Sequence, residues 1–245
     1  MQRYTKQSYK DAYREFQQAL RFNPGDTDAK IKLEEAYEYA VTNVVILPMQ
    51  QSGGYVYTTY TVGGINLDDQ LLRNLQYSNG NEFVKFYSAW DARSREIRID
   101  QEIQMQFSAI DFGRQIDTRS TKKVTKDVVI KEIVYKPDSI VREYAKVYAN
   151  VTTTKSTMIS NAILQVNIRD AEGRWIWNDN IGAQHNWTTD FTTYNGDERA
   201  LSDNDRLLVN RRRTFAPTES EIMRVMLDQI SSNTQYRLKN YFNRY

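Results

Sequence analysis

The sequence predicts an α+β fold, in which an N-terminal helical hairpin packs on a mostly antiparallel sheet domain with a C-terminal helix. Three observations lead to this expectation. Apolar residues recur at helical spacing over residues 9–40, apolar and polar residues alternate over residues 97–107, and a helix start signal stands at residues 217–221. A helical period therefore comes first, a strand period follows, and a helix closes the chain.

The helical hairpin consists of two periodic segments separated by a break. Tyr13 and Phe16 lie on the apolar face of the first segment, residues 23–25 (Asn-Pro-Gly) interrupt the helix, and Leu33 and Tyr37 continue the pattern in the second. So short a hairpin needs a cover for its apolar face. We therefore expect these four side chains to be buried, some of them against residues that follow the hairpin.

The chemistry of the chain changes directly after the hairpin. Residues 44–47 (Val-Val-Ile-Leu) read as a buried strand that ends at Pro48. We therefore expect a tetratricopeptide-like helical hairpin over residues 1–42 and an α+β sheet domain over residues 43–245.

The sheet domain contains a helix and several strands. A short helix through Leu71 and Leu75 is expected to begin at Asn66 or Asp68. The alternation at 97–107 describes an antiparallel strand with one wet face. A turn is expected at residues 170–173, where Gly173 is able to take a positive φ. Further strands are expected at residues 128–135, 143–154, 159–169, 174–178 and 181–192.

The C-terminal helix has a capping box. Thr218 and Glu221 are spaced so that each side chain accepts a hydrogen bond from the other's backbone N–H. An apolar face then follows, which predicts core packing for the helix; it is formed by Ile222, Val225, Met226 and Ile230, and continued by Leu238, Tyr241 and Phe242.

Composition excludes several classes of function. The chain of 245 residues has no cysteine, which excludes disulfides, thiolate metal sites and a cysteine nucleophile. Its 33 Lys and Arg against 31 Asp and Glu create no strong field for nucleic acid, and no segment approaches the ~20 apolar residues of a membrane span. We expect no transmembrane span and no nucleic-acid partner. The first residues contain no signal segment, so we expect either an exported protein whose signal is removed and which is lipid-anchored through a segment absent here, or a fragment of a longer chain.

Three resemblances add to this interpretation. Ala12, Phe16, Ala19 and Pro24 stand at the spacing of a tetratricopeptide repeat helix, so residues of about 4–40 resemble the end of such an array. The order of elements over residues 43–240, with an Asp-x-x-Gly turn at 170–173, is similar to that of the curli-secretion and penicillin-binding-protein-activator lipoproteins. The many Tyr (17), Thr, Asn and Gln residues also resemble extracytoplasmic proteins of the Bacteroidota. These resemblances imply a periplasmic or outer-membrane-associated protein.

Candidate catalytic and metal sites are weak. His185 is the one histidine, and no Gly-x-Ser-x-Gly elbow accompanies it. The acidic residues over 197–205 could hold calcium, but Arg199 and Arg206 are present to neutralise them. The run Arg211 to Arg213 is interpreted as a solvated loop or as a partner of that acidic segment. We expect no catalytic residue, no metal and no cofactor.

Aromatic residues are the candidate partner-binding groups. A Tyr/Thr segment between paired glycines over residues 53–64 predicts a hairpin that presents Tyr55, Tyr57 and Tyr60. Trp175 and Trp177 share one face of a predicted strand, and Trp187 follows. Aromatic side chains anchor protein interfaces and also stack on sugars, while core packing is the ordinary explanation for tryptophans in strands.

The sequence favours a non-enzymatic interaction or scaffold protein of the bacterial cell envelope, whose partners are other envelope proteins. Two alternatives stay open. One is a module that binds glycan or peptidoglycan through its tryptophans, and the other is an envelope glycoside hydrolase that uses paired carboxylates.

Overall fold

The computed structural model describes residues 2–49, 67–78, 80–135 and 139–244. Within them the chain forms six α-helices and a mostly antiparallel sheet of six strands, which confirms the predicted α+β class. The helices are α1 (Gln2–Phe22), α2 (Thr27–Ala40), α3 (Leu67–Ser78), α4 (Ala89–Ser94), α5 (Asp203–Val209) and α6 (Glu219–Phe242). The strands are β1 (Thr42–Ile46), β2 (Val84–Ser88), β3 (Gln101–Asp111), β4 (Ile116–Tyr135), β5 (Ser139–Asp170) and β6 (Trp175–Gly196), and a 3-10 helix spans Glu198–Ala200.

Two compact units divide the chain, and each is assembled from separate segments. The first unit comprises Met1–Asp111, Asn161–Ala183 and Met223–Tyr245, and the second comprises Phe112–Ser160 and Gln184–Ile222. Strands β5 and β6 each contribute to both units. The boundary expected between residues 42 and 43 stays a prediction.

The sheet of the first unit has β1 between two parallel neighbours. Strand β1 pairs in parallel with β2 on one side and with β3 on the other, and β3 pairs antiparallel with β5. Val44, Val45 and Ile46 of β1 are all at most 3% exposed, as expected for a parallel strand covered on both faces. In β3 the alternation holds, since Ile103 and Met105 are fully buried. The predicted strand at 97–107 begins four residues later, at Gln101.

Helices α3 and α6 cover this sheet. Leu71 and Leu75 of α3 are fully buried, as the predicted helix requires. Phe242 of α6 packs edge-on against Phe86 of β2, with ring centroids 5.1 Å apart. The predicted capping box of α6 is present, because Glu221 Oε2 accepts from the Thr218 N–H at 2.8 Å and Thr218 Oγ1 accepts from the Glu221 N–H at 3.3 Å. Of the predicted apolar face, Val225 is exposed and the other members face the core or are half-buried.

Long strands make up the second unit. Strand β4 pairs antiparallel with β5 from Ile116↔Thr157 to Val134↔Ile140, and β6 pairs with the other edge of β5. The separate strands expected at 143–154 and 159–169 are one continuous strand, β5, and those at 174–178 and 181–192 are one strand, β6. The predicted turn at 170–173 is confirmed, with Gly173 at φ +80°.

Candidate functional site

The first unit has a cavity of about 390 Å³ at its helical hairpin, lined by Tyr13, Leu33, Glu34, Tyr37, Glu38 and Glu82. Helix α1 supplies one wall and α2 another, and Glu82 precedes β2. The hairpin closes because Asp26 caps α2 by accepting from the Ala29 N–H at 3.0 Å. Small buried residues on α2, including Ala29 and Ala36, allow the two helices to approach closely. The hairpin is thus a preformed frame for the cavity.

Aromatic rings form the floor of the cavity. Tyr13 and Tyr37 lie with ring centroids 5.5 Å apart, and Phe83 meets the Tyr13 ring edge-on at 5.4 Å. The Tyr37 hydroxyl donates to the Glu82 carbonyl oxygen at 3.2 Å. The two tyrosines therefore contact a residue well beyond the hairpin, as expected. The four side chains predicted to be buried, Tyr13, Phe16, Leu33 and Tyr37, are only half-buried. Tyr13, Leu33 and Tyr37 are partly exposed because they line the cavity.

Three carboxylates also line the cavity. Glu34 and Glu38 stand one turn apart on α2, and Glu82 joins them from the segment before β2. Burial, followed by the charge of Glu82, raises the pKa of the Tyr13 hydroxyl above its ordinary value, so this hydroxyl stays protonated. The Lys85 ammonium lies 5.0 Å from the centroid of the Tyr37 ring, which shows that this ring accepts a cation. An aromatic floor in a cavity lined by carboxylates suits a positively charged side chain.

An ion pair joins the start of α1 to the sheet. Lys6 Nζ donates to Asp100 Oδ2 at 2.8 Å and to the Val41 carbonyl oxygen at 2.6 Å. The same Asp100 oxygen accepts from the Asn43 backbone N–H at 2.9 Å. The Asp100 side chain is only 10% exposed, so these bonds act in a largely water-excluded position. The frame of the cavity is therefore tied to β1 and to the residue before β3.

The six aromatic residues predicted to bind partners lie in different parts of the chain. Tyr55, Tyr57 and Tyr60 lie outside the described residues. Trp175 and Trp177 stand two residues apart on β6, in the first unit, and Trp187 belongs to the second unit. Trp175 is 56% exposed, whereas Trp177 is half-buried and its ring lies 5.5 Å from that of Tyr241. A binding role for these residues stays a prediction, and packing already accounts for Trp177.

The predicted basic run finds its partners outside the acidic segment. Arg211 lies 3.6 Å from Asp190, and the Arg213 guanidinium stacks on the Phe191 ring at 4.3 Å. Arg211 pairs with Asp190, Asp197 with Arg199 and Asp205 with Lys122, and pairing of the other residues of this run with residues 197–205 stays a prediction. His185 is half-buried in β6.

The acidic segment is structural. Asp197 pairs with Arg199 at 2.6 Å, which lowers the pKa of the Asp197 carboxyl to about 2. Asp205 is buried, forms a capping box with Ser202 at the start of α5 and pairs with Lys122 at 2.6 Å. In the described part of the chain, no group of three His, Asp or Glu side chains is placed to hold a metal. The segment expected as a loop is thus a 3-10 helix and the first turn of α5.

Replacing Asp205 with Asn should make the stability of the fold depend less on pH in the acidic range. Hydrogen bonds from Lys122 and then Ser202 lower the pKa of Asp205 in the folded state. The contribution of the Asp205 carboxylate to stability is therefore complete above a pH of ~3.9, which is its pKa in the unfolded chain. That contribution is lost as the pH falls through the lower pKa of the folded protein. At pH 7 we expect Asp205→Asn to cost about 1–2 kcal/mol, because the pair with Lys122 is lost.

Thermal unfolding between pH 7 and pH 3 measures this effect. The gap in Tm between wild type and Asp205→Asn should narrow toward pH 3. Asp203→Asn, an exposed change in the same helical turn, serves as the matched control. A difference in Tm that stays constant with pH would show that the charge of Asp205 does not contribute to stability.

The membrane question and the comparisons with known proteins complete the description. Among the described residues no helix is both long and apolar enough to cross a membrane. No family model matches the chain, and no curated protein matches it.

Solved structures include distant neighbours. One is a neuraminyllactose-binding hemagglutinin homolog from Helicobacter pylori, with 10% identity and a TM-score of 0.32, covering 81% of this chain and 84% of that one. Another is a minor lipoprotein from Acinetobacter baumannii, with 10% identity and a TM-score of 0.25, covering 82% of this chain and 92% of that one. Likenesses this weak do not place the chain in a family.

Proposed function

We propose that this protein is a non-enzymatic interaction protein of the bacterial cell envelope, and that it binds a basic side chain of a partner protein in the cavity of its helical hairpin. The observation that carries the proposal is the cavity of about 390 Å³, with aromatic rings in its floor and three carboxylates in its lining. The tetratricopeptide-like character of the hairpin and the envelope location are the finer parts of this proposal. They rest on the spacing of the hairpin residues and on composition.

The chemistry of the cavity selects its ligand. A lysine or arginine stem covers aromatic carbon while its charged head reaches the carboxylates, which combines cation–π attraction with charge pairing. Arginine is the better match, because its planar guanidinium stacks on a ring and donates to carboxylates at the same time. An acidic or neutral peptide would give Glu34, Glu38 and Glu82 no counter-charge beyond that of the neighbouring Lys85.

Binding of short labelled peptides tests the proposal. We expect a peptide with two arginines to bind, the lysine version to bind less tightly, and the glutamate version not to bind. Glu34→Gln combined with Glu38→Gln should weaken binding about tenfold at low salt, because each partly exposed charge pair contributes up to ~1 kcal/mol. Fluorescence anisotropy measures the dissociation constants.

The control pair is Glu15→Gln with Glu35→Gln, which removes the same charge from the helical hairpin at exposed positions that do not line the cavity. This variant should bind within about twofold of wild type, since distant surface charges act only through screened fields. Equal weakening by the two pairs would show general electrostatic attraction and overturn the cavity as the site.

A further inference from the structure

A two-stranded ribbon extends the second unit. The ribbon consists of residues 125–134 of β4 and 140–148 of β5, which pair along their length. Strand β6 stops short of it, because β6 ends at Gly196 and the next N–H, of Asp197, donates to the Tyr148 carbonyl oxygen at 2.9 Å. An isolated pair of strands is marginally stable in water. We therefore expect another surface to pack against the ribbon.

The register divides the ribbon into two faces. Residues directly opposite each other in an antiparallel pair point to the same side, and successive pairs alternate. One side, which we call the open face, carries five successive cross-strand pairs: Thr125 with Tyr148, Asp127 with Lys146, Val129 with Tyr144, Glu132 with Arg142, and Val134 with Ile140. The opposite side carries Val147, which packs with Ala200 and Leu201 of the 3-10 helix region.

The open face carries exposed apolar side chains between and beside two charged rows. Val134 is 67% exposed, Tyr144 is 59% exposed and Ile140 is 54% exposed. Val129 and Tyr148 are 41% and 47% exposed, and Ile130, the extra residue of a bulge after Val129, is 52% exposed. Exposed apolar side chains gathered on one face in this way are typical of contact surfaces.

Charges on the open face are arranged in two stripes. Both cations, Lys146 and Arg142, are on β5, and both anions, Asp127 and Glu132, are on β4. Within one chain each cation is directly opposite an anion, and Arg142 Nε lies 3.3 Å from Glu132 Oε2. These two rows are neutral overall and have a positive edge and a negative edge, and beyond them the Lys123 ammonium of β4 lies 4.6 Å from the centroid of the Tyr148 ring.

We propose that the open face binds the open face of a second copy of this chain. A twofold axis along the strand direction, between the two faces, places β5 of each copy over β4 of the other. Residues at the same height then meet, so Arg142 faces Glu132 of the copy and Lys146 faces Asp127 of the copy. Tyr144 faces Val129 between these two charged rows. The positive stripe thus covers the negative stripe on both sides of the axis.

The charge pattern excludes the other twofold arrangement of the same faces. An axis across the strands would place β5 over β5, so that cations face cations. Insertion into a lipid bilayer is also unfavourable, since it would bury two rows of charged residues against hydrocarbon. Face-to-face packing of twisted strands at about 30° is compatible with the first axis, because the charged rows flank the centre of the ribbon.

The contact is expected to be weak. Two strands of about ten residues offer roughly 300–400 Å² per partner, well below the ~800 Å² of a stable interface. Sedimentation velocity between about 10 µM and 500 µM covers the range of such reversible contacts. We expect the wild-type chain to shift from monomer to dimer within this range.

Charge reversals test the geometry. Glu132→Arg and Arg142→Glu should each be monomeric, because each homodimer would bring like charges together. Mixed in equal amounts, these two variants should form a heterodimer. The arginine introduced in one variant then faces the glutamate introduced in the other, and the second contact keeps its original Arg142 and Glu132. Glu143→Arg, on the opposite side of the same ribbon, is the matched control and should dimerise like wild type.

Tyr144→Ser supplies a test without a charge change. It removes the central apolar contact and should raise the dissociation constant at least about tenfold, because the tyrosine is the largest side chain at the centre of the face. A monomeric wild type throughout the concentration range would overturn the proposal. So would dimers of the single charge-reversal variants, a mixture that stays monomeric, or a loss of dimer in Glu143→Arg. The readout is independent of peptide binding at the hairpin cavity.

Discussion

Replacing Gly113 with Ala is expected to lower the free energy of unfolding by about 3 kcal/mol or more. Gly113 has φ +66°, and an added Cβ would lie 2.0 Å from the Ile159 carbonyl oxygen, far inside contact distance. The neighbouring backbone is held in place, because Ser160 Oγ donates to the Phe112 carbonyl oxygen at 2.6 Å. The clash therefore has to be relieved by separating the backbone of residues 112–113 from β5.

Gly173→Ala is the matched control for this change. Gly173 also has a positive φ, of +80°, but an added Cβ would have no heavy atom within 4 Å. Gly173→Ala should lower the free energy of unfolding by only about 1–2 kcal/mol, which is the cost of holding an alanine at a positive φ. Urea unfolding followed by circular dichroism measures both variants. Equal decreases in the free energy of unfolding for the two variants would show that the close approach to the Ile159 carbonyl oxygen has no energetic cost.

The second large effect is expected for Asp100→Ala, at about 2–3 kcal/mol. Its carboxylate accepts from Lys6 Nζ and from the Asn43 N–H. Removing one partner of a largely buried pair leaves the other charge without compensation, which costs more than the pair contributes. The figure is below that of a fully buried pair, because the Lys6 side chain is 21% exposed.

A double-mutant cycle separates the pair from its surroundings. Lys6→Met and Asp100→Ala should be strongly non-additive, because the double variant leaves no unpaired charge. Asp11→Ala, which breaks the exposed pair with Arg14 at 3.5 Å, should cost less than about 0.5 kcal/mol. Additive losses in the cycle would mean that the ion pair does not hold α1 to the sheet.

Local signals in the sequence are sufficient for the helices and for the first strands. The breaker at residues 23–25, the leucines of α3 and the capping box at Thr218 act within a few residues, so their structural meaning can be read directly. The continuous length of β5 cannot be read this way. Its inward positions change from Val151 to Thr154 and Ser156, so the buried side switches and becomes polar.

Tertiary partners explain that polar stretch. Ser156 Oγ donates to Asp117 Oδ1 at 2.7 Å, and Thr153 and Thr192 hydroxyls lie 3.2 Å apart. Such cross-strand bonds satisfy buried hydroxyls, but they appear only when the strands are placed side by side. The periodicity of apolar residues is therefore interrupted after Val151 and resumes from Ala162 to Ile168, although the strand is continuous.

The cavity could not be predicted from the sequence, because it also depends on tertiary contacts. The helical spacing predicts Tyr13 and Tyr37 as core residues, and this is correct for one side of each ring. Glu82 is distant in sequence and joins the cavity through Phe83, which packs against Tyr13. One signal could have pointed there: Glu34 and Glu38 lie at i,i+4 beside Leu33 and Tyr37, an acidic border along an apolar stripe.

The discontinuous first unit has a consequence for biosynthesis. Its final segment begins at Met223, and Asn81 Nδ2 donates to the carbonyl oxygen of Phe242 at 2.9 Å. A growing chain exposes the buried face of β2 until residues 223–242 have also been synthesised, although domains otherwise fold from the N-terminus as they emerge. Every residue of the second unit is synthesised before that last segment of the first unit is complete. The second unit can therefore fold before the first, although the first unit begins earlier in the chain.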